Sequence, residues 1–444
     1  METPICDFVR AYAESRPVRM HMPGHKGNPQ VGPEALDLTE IEGADVLYRS
    51  EGIIRRSEEN AAALFGAART VYSAEGSSLC IRAMLYLALL DAKEKGILPR
   101  LLAGRNAHRT LMTAAALLDR EVDWLLPAPG EDLLSCAVTA DILEKELDKG
   151  PYMAVYLTSP DYLGRRADLR AAAEVCRRRR VPLLVDNAHG AYLKFLPEDE
   201  HPITLGADAC CDSAHKMLPA LTGAAVLHTS RREYADKLKQ AMSLFGSTSP
   251  SYLVMASLDL CNRYIAERIR NDIASAMPRL AELRSALSDR LVFADSEPFH
   301  ITVRAAESDF CGAELAELLR DNGVECEYAD RELVILLMSP FSSESDYVRL
   351  RAALESAVSG ASPIESEPFD FQPKLPKMAL AIREAAFAMA EEIPVDEAEG
   401  RICASVKVPC PPAIPIAVSG EIIDRECMEL FRAYGIKKVL VVKN

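Results

Sequence analysis

The chain of 444 residues lacks several features that would mark it for export or for a membrane. Its 12 cysteines are scattered without a C-x-x-C pair, which favours reduced core residues over disulfides or a structural metal site. No apolar stretch reaches the roughly 18–20 residues that a membrane-spanning helix needs. The first residues contain no basic segment followed by an apolar one, so no secretion signal is expected. These absences predict a cytoplasmic protein without a bound metal.

Basic residues are also fewer than acidic ones. The chain has 51 basic and 66 acidic side chains, which gives a net charge of −15. This balance argues against nucleic acid and anionic membrane surfaces, and it weakly favours a cationic small-molecule substrate. The one basic run, Arg177–Arg180, closes a predicted helix, where positive charge is favourable. A nucleic-acid patch is the weaker interpretation of that run.

The apolar pattern, with 49% hydrophobic residues, predicts the fold class. Short continuous apolar runs alternate with helical patterns from about residue 68 to residue 228, which is typical of a mostly parallel α/β sheet covered on both faces. The predicted divisions are an N-terminal arm (1–55), a large domain (56–287), a small α/β domain (288–360) and a C-terminal module (361–444). That module is expected to begin with a helix over Met378–Glu391 and to end with a strand over Val439–Val442.

Two segments carry candidate chemistry, Asp186-Asn187-Ala188-His189 and Ser213-Ala214-His215-Lys216. Each follows an apolar, strand-like run, and the carboxyl ends of parallel strands are where sites form in such sheets. A carboxylate there can hold a protonated pyridine nitrogen, and a lysine one strand further on can form a Schiff base with an aldehyde. Together they are the groups that pyridoxal 5′-phosphate (PLP) needs to act as an electron sink. Taken alone, Lys216 is equally well a surface lysine, and Asp186 a cap to its strand.

Further candidates also neighbour predicted strand ends. Gly76-Ser77-Ser78 joins a strand to a helix, where backbone N–H groups and two hydroxyls can bind phosphate, although an ordinary serine N-cap explains them as well. His108 can stack on a cofactor ring or lie in a surface loop. His189 and His215 each neighbour a key residue, and Ala188 is small enough to let a ring pack against the strand.

The order of these motifs resembles the fold-type I PLP-dependent ornithine/lysine/arginine decarboxylases in their short bacterial form. The matching segments are Met22–Gly27, Asp37–Glu40 with Asp45, Arg105–His108, Asp186–Gly190, Ser213–Thr222 and Ser247–Ser251. The resemblance implies an aspartate aminotransferase-like large domain with smaller α/β C-terminal domains, PLP bound to Lys216 and its ring stacked by His108. The phosphate contacts that it implies come from Ser77, Ser78, Ser213 and His215, and from Ser247 and Thr248 across the interface of a homodimer or homotetramer.

The same resemblance implies decarboxylation of arginine, lysine or ornithine in polyamine biosynthesis. In that reaction Asp186 would keep the ring protonated, and Lys216 or His215 would return a proton to Cα. Two alternatives stay open. One is another fold-type I enzyme, such as an aminotransferase or a lyase, which would use the same lysine and aspartate. The other is a catalytically silent paralogue that regulates a decarboxylase.

The C-terminal signature departs from the family's Tyr-Pro-Pro-Gly-x-Pro and Pro-Gly-Glu pattern. The different residues are Cys410, Ala413 and Ser419. Glu421 aligns with the glutamate of that pattern, and a buried substrate cation needs an acidic partner. Glu421 is therefore expected to receive the distal charge of the substrate. A favourable charge at the start of a helix is the alternative.

Overall fold

The computed structural model describes residues 1–97, 100–126, 134–135, 138–363, 374–406 and 415–443. The strands of this part are β1 (Arg69–Ser73), β2 (Leu101–Gly104), β3 (Val122–Leu125), β4 (Ala154–Thr158), β5 (Leu183–Asp186), β6 (Ala209–Asp212), β7 (Ala225–Thr229), β8 (His300–Arg304), β9 (Tyr328–Ala329), β10 (Leu333–Leu337), β11 (Ala390–Pro394) and β12 (Lys438–Val442).

The α-helices of the same part are α1 (Pro4–Glu14), α2 (Ile53–Phe65), α3 (Gly76–Glu94), α4 (Arg109–Leu118), α5 (Ala140–Leu147), α6 (Leu169–Arg179), α7 (Pro202–Leu205), α8 (Ala214–Met217), α9 (Arg232–Ala235), α10 (Leu238–Phe245), α11 (Tyr252–Glu267), α12 (Ile269–Leu287), α13 (Gly312–Asp321), α14 (Glu344–Gly360), α15 (Ile382–Ala386) and α16 (Arg425–Ala433). Among them, none is both long enough and apolar enough to cross a membrane.

The chain divides into two compact units, and each is made of two separate stretches of sequence. The first contains residues 1–94 and 176–274, and the second contains residues 95–175 and 275–444. These boundaries differ from those of the four predicted segments, each of which is one continuous stretch of sequence. The division into four segments stays a prediction.

In the first unit four strands lie in the order β1-β7-β6-β5. Strands β5 and β6 are parallel, with Asp186 opposite Cys211, whereas β7 is antiparallel to both β6 and β1. Every residue of these strands is buried, which explains why their sequences are continuous apolar runs. Because β5 and β6 are parallel neighbours, Asp186 and the residues that follow β6 emerge at the same edge.

The second unit contains three small groups of strands. Strand β2 pairs in parallel with β3 and with β4, in the order β4-β2-β3. Strands β8, β10 and β9 form an antiparallel sheet, on which α13 packs, and α14 packs on α13. Strands β11 and β12 form an antiparallel pair near the end of the chain.

The predicted α/β class is confirmed, and the predicted parallel pairing joins β5 to β6 and β2 to both β3 and β4. One predicted element is wrong. The segment Met378–Glu391 does not form one helix, since α15 covers only Ile382–Ala386 and β11 begins at Ala390. Alanine and glutamate favour a helix locally, but in β11 they pair with the last strand, with Ile393 opposite Val439. Long-range pairing with β12 therefore overrides local propensity.

The cysteines of the described part are core residues, as their scatter suggested. Eight of its ten free cysteines are buried. Cys210 and Cys211 lie in β6 and are fully buried. Desolvation raises the pKa of both thiols well above the ordinary value, so both are neutral.

Candidate active site

The carboxyl ends of β5 and β6 carry the two segments that the sequence singled out. Asp186 is the last residue of β5 and is only 2% exposed. Its Oδ1 accepts hydrogen bonds from the Ala188 N–H at 3.2 Å and from the Cys211 thiol at 3.6 Å. The Asn187 N–H donates to the Cys211 carbonyl at 3.0 Å, which extends the pairing of the strands beyond Asp186. The carboxylate is therefore held rigidly at the edge of the sheet.

Lys216 lies within the single turn of α8, directly after β6. Its Nζ is 2.8 Å from Nε2 of His189, which is buried on the turn that follows Asp186. This contact brings the two predicted segments together in one place. Lys216 itself is exposed, whereas Met217 and Leu218 after it are buried. The amine is thus accessible to an aldehyde while the backbone that carries it is anchored in the core.

A third group lies where β1 joins α3. Gly76 begins this 19-residue helix with φ +71°, a left-handed conformation that glycine adopts without strain, and a Cβ there would have no neighbour within 4 Å. The Ser213 hydroxyl donates to the Ser77 hydroxyl at 2.9 Å. The helix N-terminus with Ser77, Ser78 and Ser213 therefore has the composition of an anion site in the same unit as Lys216.

His215 has one ring nitrogen committed to the backbone. Its Nδ1 lies 2.8 Å from the Ala224 carbonyl oxygen, so Nδ1 carries a hydrogen that it donates to that oxygen. This contact defines the tautomer and leaves Nε2 as the nitrogen at which His215 would exchange a proton.

The loop with Ser247 and Thr248 follows α10 and is exposed. The Ser247 N–H donates to Glu75 Oε1 at 2.7 Å, so this loop lies beside the residue before Gly76 of the same chain. The contact that the two hydroxyls are expected to make with a partner subunit stays a prediction.

His108 belongs to the second unit, where it caps the N-terminus of α4. Its Nδ1 accepts from the Thr110 N–H at 3.3 Å, and the ring is exposed. The ring is thus oriented by the helix that it caps, while its stacking on a cofactor stays a prediction.

Glu421, also in the second unit, is 2% exposed and makes a bidentate ion pair with Arg105, with both N–O distances 2.8 Å. Both of its carboxylate oxygens are engaged, which weighs against the predicted role as a free partner for the substrate's charge.

The structure also contains a buried polar network next to the site, which no motif of the sequence predicted. The Asp212 carboxylate, at the end of β6, accepts from Asn187 Nδ2 at 2.7 Å and lies 3.0 Å from His201 Nε2 and 3.4 Å from His228 Nε2. Thr70 Oγ1 lies 2.7 Å from His228 Nδ1. Burial alone would raise the pKa of Asp212, but the two histidines together hold it well below the ordinary value. Asp212 therefore ties the end of β5 to the end of β6.

Cys210, His201 and Asp212 of this network also have the composition of a metal site, with Cys210 Sγ 4.0 Å from His201 Nε2. In the absence of an ion, burial raises the pKa of the Cys210 thiol well above the ordinary value, so the thiol is neutral. Hydrogen bonding accounts for the arrangement without an ion.

The network should make the stability of the protein depend on pH. Burial lowers the pKa of His228 more than the Asp212 carboxylate raises it. Unfolding returns this histidine to a pKa of about 6.5, so the unfolded state binds an extra proton below that pH and stability falls as the pH falls. The free energy of unfolding in urea should therefore decrease between pH 8 and pH 5.

In the His228→Asn variant, the free energy of unfolding should decrease less over the same pH range. The difference from the wild type should be up to about 1.4 kcal/mol for each pH unit by which folding lowers the pKa of His228. An identical pH dependence of the wild type and the variant would contradict a neutral, buried His228.

Comparisons with known proteins show the family of the chain. A model of the Orn/Lys/Arg decarboxylase major domain matches residues 3–306, and a model of the Orn/Lys/Arg decarboxylase C-terminal domain matches residues 369–435. The arginine decarboxylase of Bacillus subtilis is 29% identical, over 96% of this chain and 92% of its own length. The arginine decarboxylase of Halalkalibacterium halodurans is 28% identical, over 97% of this chain and 93% of its own length.

Solved structures show the same fold. The lysine decarboxylase LdcF of Francisella novicida has a TM-score of 0.80 at 17% identity and covers 99% of this chain and 79% of that one. The constitutive lysine decarboxylase of E. coli has a TM-score of 0.78 at 17% identity, over 100% of this chain and 82% of that one. The predicted fold-type I architecture is thus confirmed. Because the two family models match in order over most of its length, the chain belongs to the Orn/Lys/Arg decarboxylase family.

Proposed function

We propose that the protein is a PLP-dependent decarboxylase that converts a basic amino acid to the corresponding amine and CO₂. The observation that carries the proposal is the contact of Lys216 with His189 on the turn after Asp186, in a chain of the decarboxylase family. The relatives that are named arginine decarboxylase support arginine as the first substrate to test. Lysine and ornithine are the alternatives.

The residues of the first unit fit PLP on their own chemistry. Bound PLP supplies a conjugated ring that withdraws electrons from the substrate's Cα. The exposed Lys216 amine can attach to the aldehyde, and the buried Asp186 carboxylate can hold the ring nitrogen protonated through a charge-assisted hydrogen bond. The N-terminus of α3, with Ser77 and the neighbouring hydroxyls, can hold the phosphate. Ala188 leaves room for the ring over the strand end.

Loss of CO₂ leaves Cα in need of a proton, and the geometry ranks the candidate donors. His215 Nδ1 donates to the Ala224 carbonyl, so His215 can supply a proton only from Nε2 of its protonated form. Lys216 can likewise supply a proton only in its ammonium form, but it is in direct contact with a ring nitrogen of His189, from which it can be protonated again. We therefore favour Lys216 as the donor, with His189 oriented to exchange protons with it at 2.8 Å.

We also propose a homodimer or homotetramer in which Ser247 and Thr248 approach the phosphate of a partner subunit. The exposure of this loop and its position beside Glu75 support an interface near the phosphate site. A cytoplasmic location fits the buried, unpaired cysteines, since reducing conditions keep thiols free.

The direct test is product identification. Purified protein with added PLP is incubated separately with arginine, lysine, ornithine and, as an acidic control, glutamate, and the products are identified by mass. Agmatine from arginine, with release of CO₂, is the expected result. A keto acid in place of CO₂ would favour the aminotransferase alternative. Bound PLP with no turnover of any substrate would favour the silent paralogue.

A further inference from the structure

Arg105 is a buried charge at the beginning of the turn that leads to His108. It follows β2, and its guanidinium donates to both oxygens of Glu421 and, at 3.4 Å, to the Ile416 carbonyl. The guanidinium also lies over the ring of Trp124, 4.9 Å from the centroid. A planar guanidinium paired with a carboxylate through two parallel hydrogen bonds is directional as well as strong. The pair therefore defines where Arg105 lies.

Glu421 is also fixed by contacts within the C-terminal segment that carries it. Its Oε2 accepts from the Val418 N–H at 2.7 Å, and its carbonyl accepts from the Cys403 N–H at 2.8 Å. Gly420 has φ +95°, and a Cβ on it would clash with the Leu380 carbonyl oxygen, so this turn requires glycine. Ser419 is fully buried in the same turn. The serine that replaces the proline of the family pattern is thus compatible with a rigid turn that aims Glu421 at Arg105.

The same C-terminal segment also holds the far end of α4. Arg383, from α15, donates to the carbonyls of Ala116 at 3.0 Å and of Leu117 at 3.2 Å, in the last turn of that helix. Carbonyls at the end of a helix lack N–H partners four residues further on, although that of Ala116 also accepts from the Asp119 N–H at 3.3 Å, and a positive charge is favourable there. At the other end, the Ala107 N–H donates to the Gly104 carbonyl at 3.1 Å and closes the turn between Arg105 and α4.

We infer that Glu421 is a positioning residue that acts through Arg105. The C-terminal segment holds α4 at both ends, with Glu421 before its first turn and Arg383 at its last, and so sets the position of His108. The inference rests on the proposed function, in which His108 stacks on the cofactor ring. A Glu421 that bound the substrate instead would leave Arg105 as a buried charge without its carboxylate partner, which is strongly destabilising.

The test is a double-mutant cycle with Arg105→Gln and Glu421→Gln in the full chain. Each single variant should lower kcat for the best basic amino acid by at least about 10-fold while KM changes by less than about 3-fold. The double variant should be no worse than the worse single one, because the two side chains act as one unit. Full additivity of the two effects would overturn the inference.

A measurement that needs no substrate tests the positioning role of Glu421 independently of the proposed function. Hydrogen exchange of the purified protein should be faster over residues 106–112 in Glu421→Gln than in the wild type, by about 10-fold or more for the first turn of α4. The matched control is Glu429→Gln, which removes an exposed carboxylate of the same segment, paired with Arg425 at 3.1 Å, and should change neither exchange nor kinetics.

If the wild type decarboxylates nothing, the proposed function fails, and the exchange experiment still decides the positioning role. If Glu421→Gln does not fold, Arg383→Gln provides the second variant and should speed exchange at the last turn of α4 with a drop in kcat at unchanged KM. A large rise in KM for the basic amino acid in Glu421→Gln alone, with exchange and the Arg105→Gln kinetics unchanged, would overturn the inference and assign Glu421 to the substrate.

Discussion

Replacement of Lys216 by alanine is expected to abolish covalent attachment of PLP and to lower decarboxylation by at least about 10,000-fold. The physical reason is that the attached cofactor must present its ring to Asp186, and Lys216 Nζ lies 2.8 Å from Nε2 of His189, which is on the turn that follows this carboxylate. Two other lysines of the first unit are engaged elsewhere. Lys194 Nζ donates to Asp199 at 2.6 Å, and Lys239 pairs with the buried Glu58.

The measurement is borohydride reduction of the protein with PLP, followed by peptide mapping. The wild type should carry the pyridoxyl label on Lys216, and Lys216→Ala should carry none. Lys194→Ala is the matched control, because it removes a partly buried lysine of the same unit, and it should keep both label and turnover. A label on any other lysine of the wild type would refute the cofactor assignment.

The second large effect concerns Asp186. Asp186→Ala should keep the label on Lys216 but lower kcat by about 1,000-fold, because an unprotonated ring nitrogen makes the ring a poorer acceptor of electrons. Asp186→Glu should retain more activity if the longer carboxylate still reaches the nitrogen. The measurement is kcat at saturating substrate, together with the visible absorbance of the attached cofactor.

Asp208→Asn provides a control at the opposite end of the same pair of strands. Asp208 Oδ2 accepts from the Leu183 N–H at 2.7 Å, where β5 begins. This substitution should weaken folding without lowering kcat, since it removes a carboxylate from the strand pair but not from the site. Wild-type turnover in Asp186→Ala would show that Asp186 only caps its strand.

The sequence alone determined the parts of this protein that depend on local pattern. Continuous apolar runs such as Val181–Val185, which ends on Asp186, predicted strands buried on both faces, because a parallel sheet between helices has no solvated face, and β5 covers Leu183–Asp186. Polar residues directly after those runs predicted a site at the strand ends, where Asp186 and Lys216 indeed lie. The run Arg177–Arg180 was expected to close a helix, and α6 ends at Arg179.

The tertiary structure alone decided the features that join distant residues. Arg105 and Glu421 are 316 positions apart, and nothing local to either one indicates that they pair. His201, Asp212 and His228 look like ordinary polar residues until β6 and β7 lie side by side and bury them. Strand β11 has the composition of a helix and becomes a strand only because β12 pairs with it. In each case the deciding energy comes from burial and from contacts that exist only after folding, whereas a sequence pattern reports the preferences of neighbours along the chain.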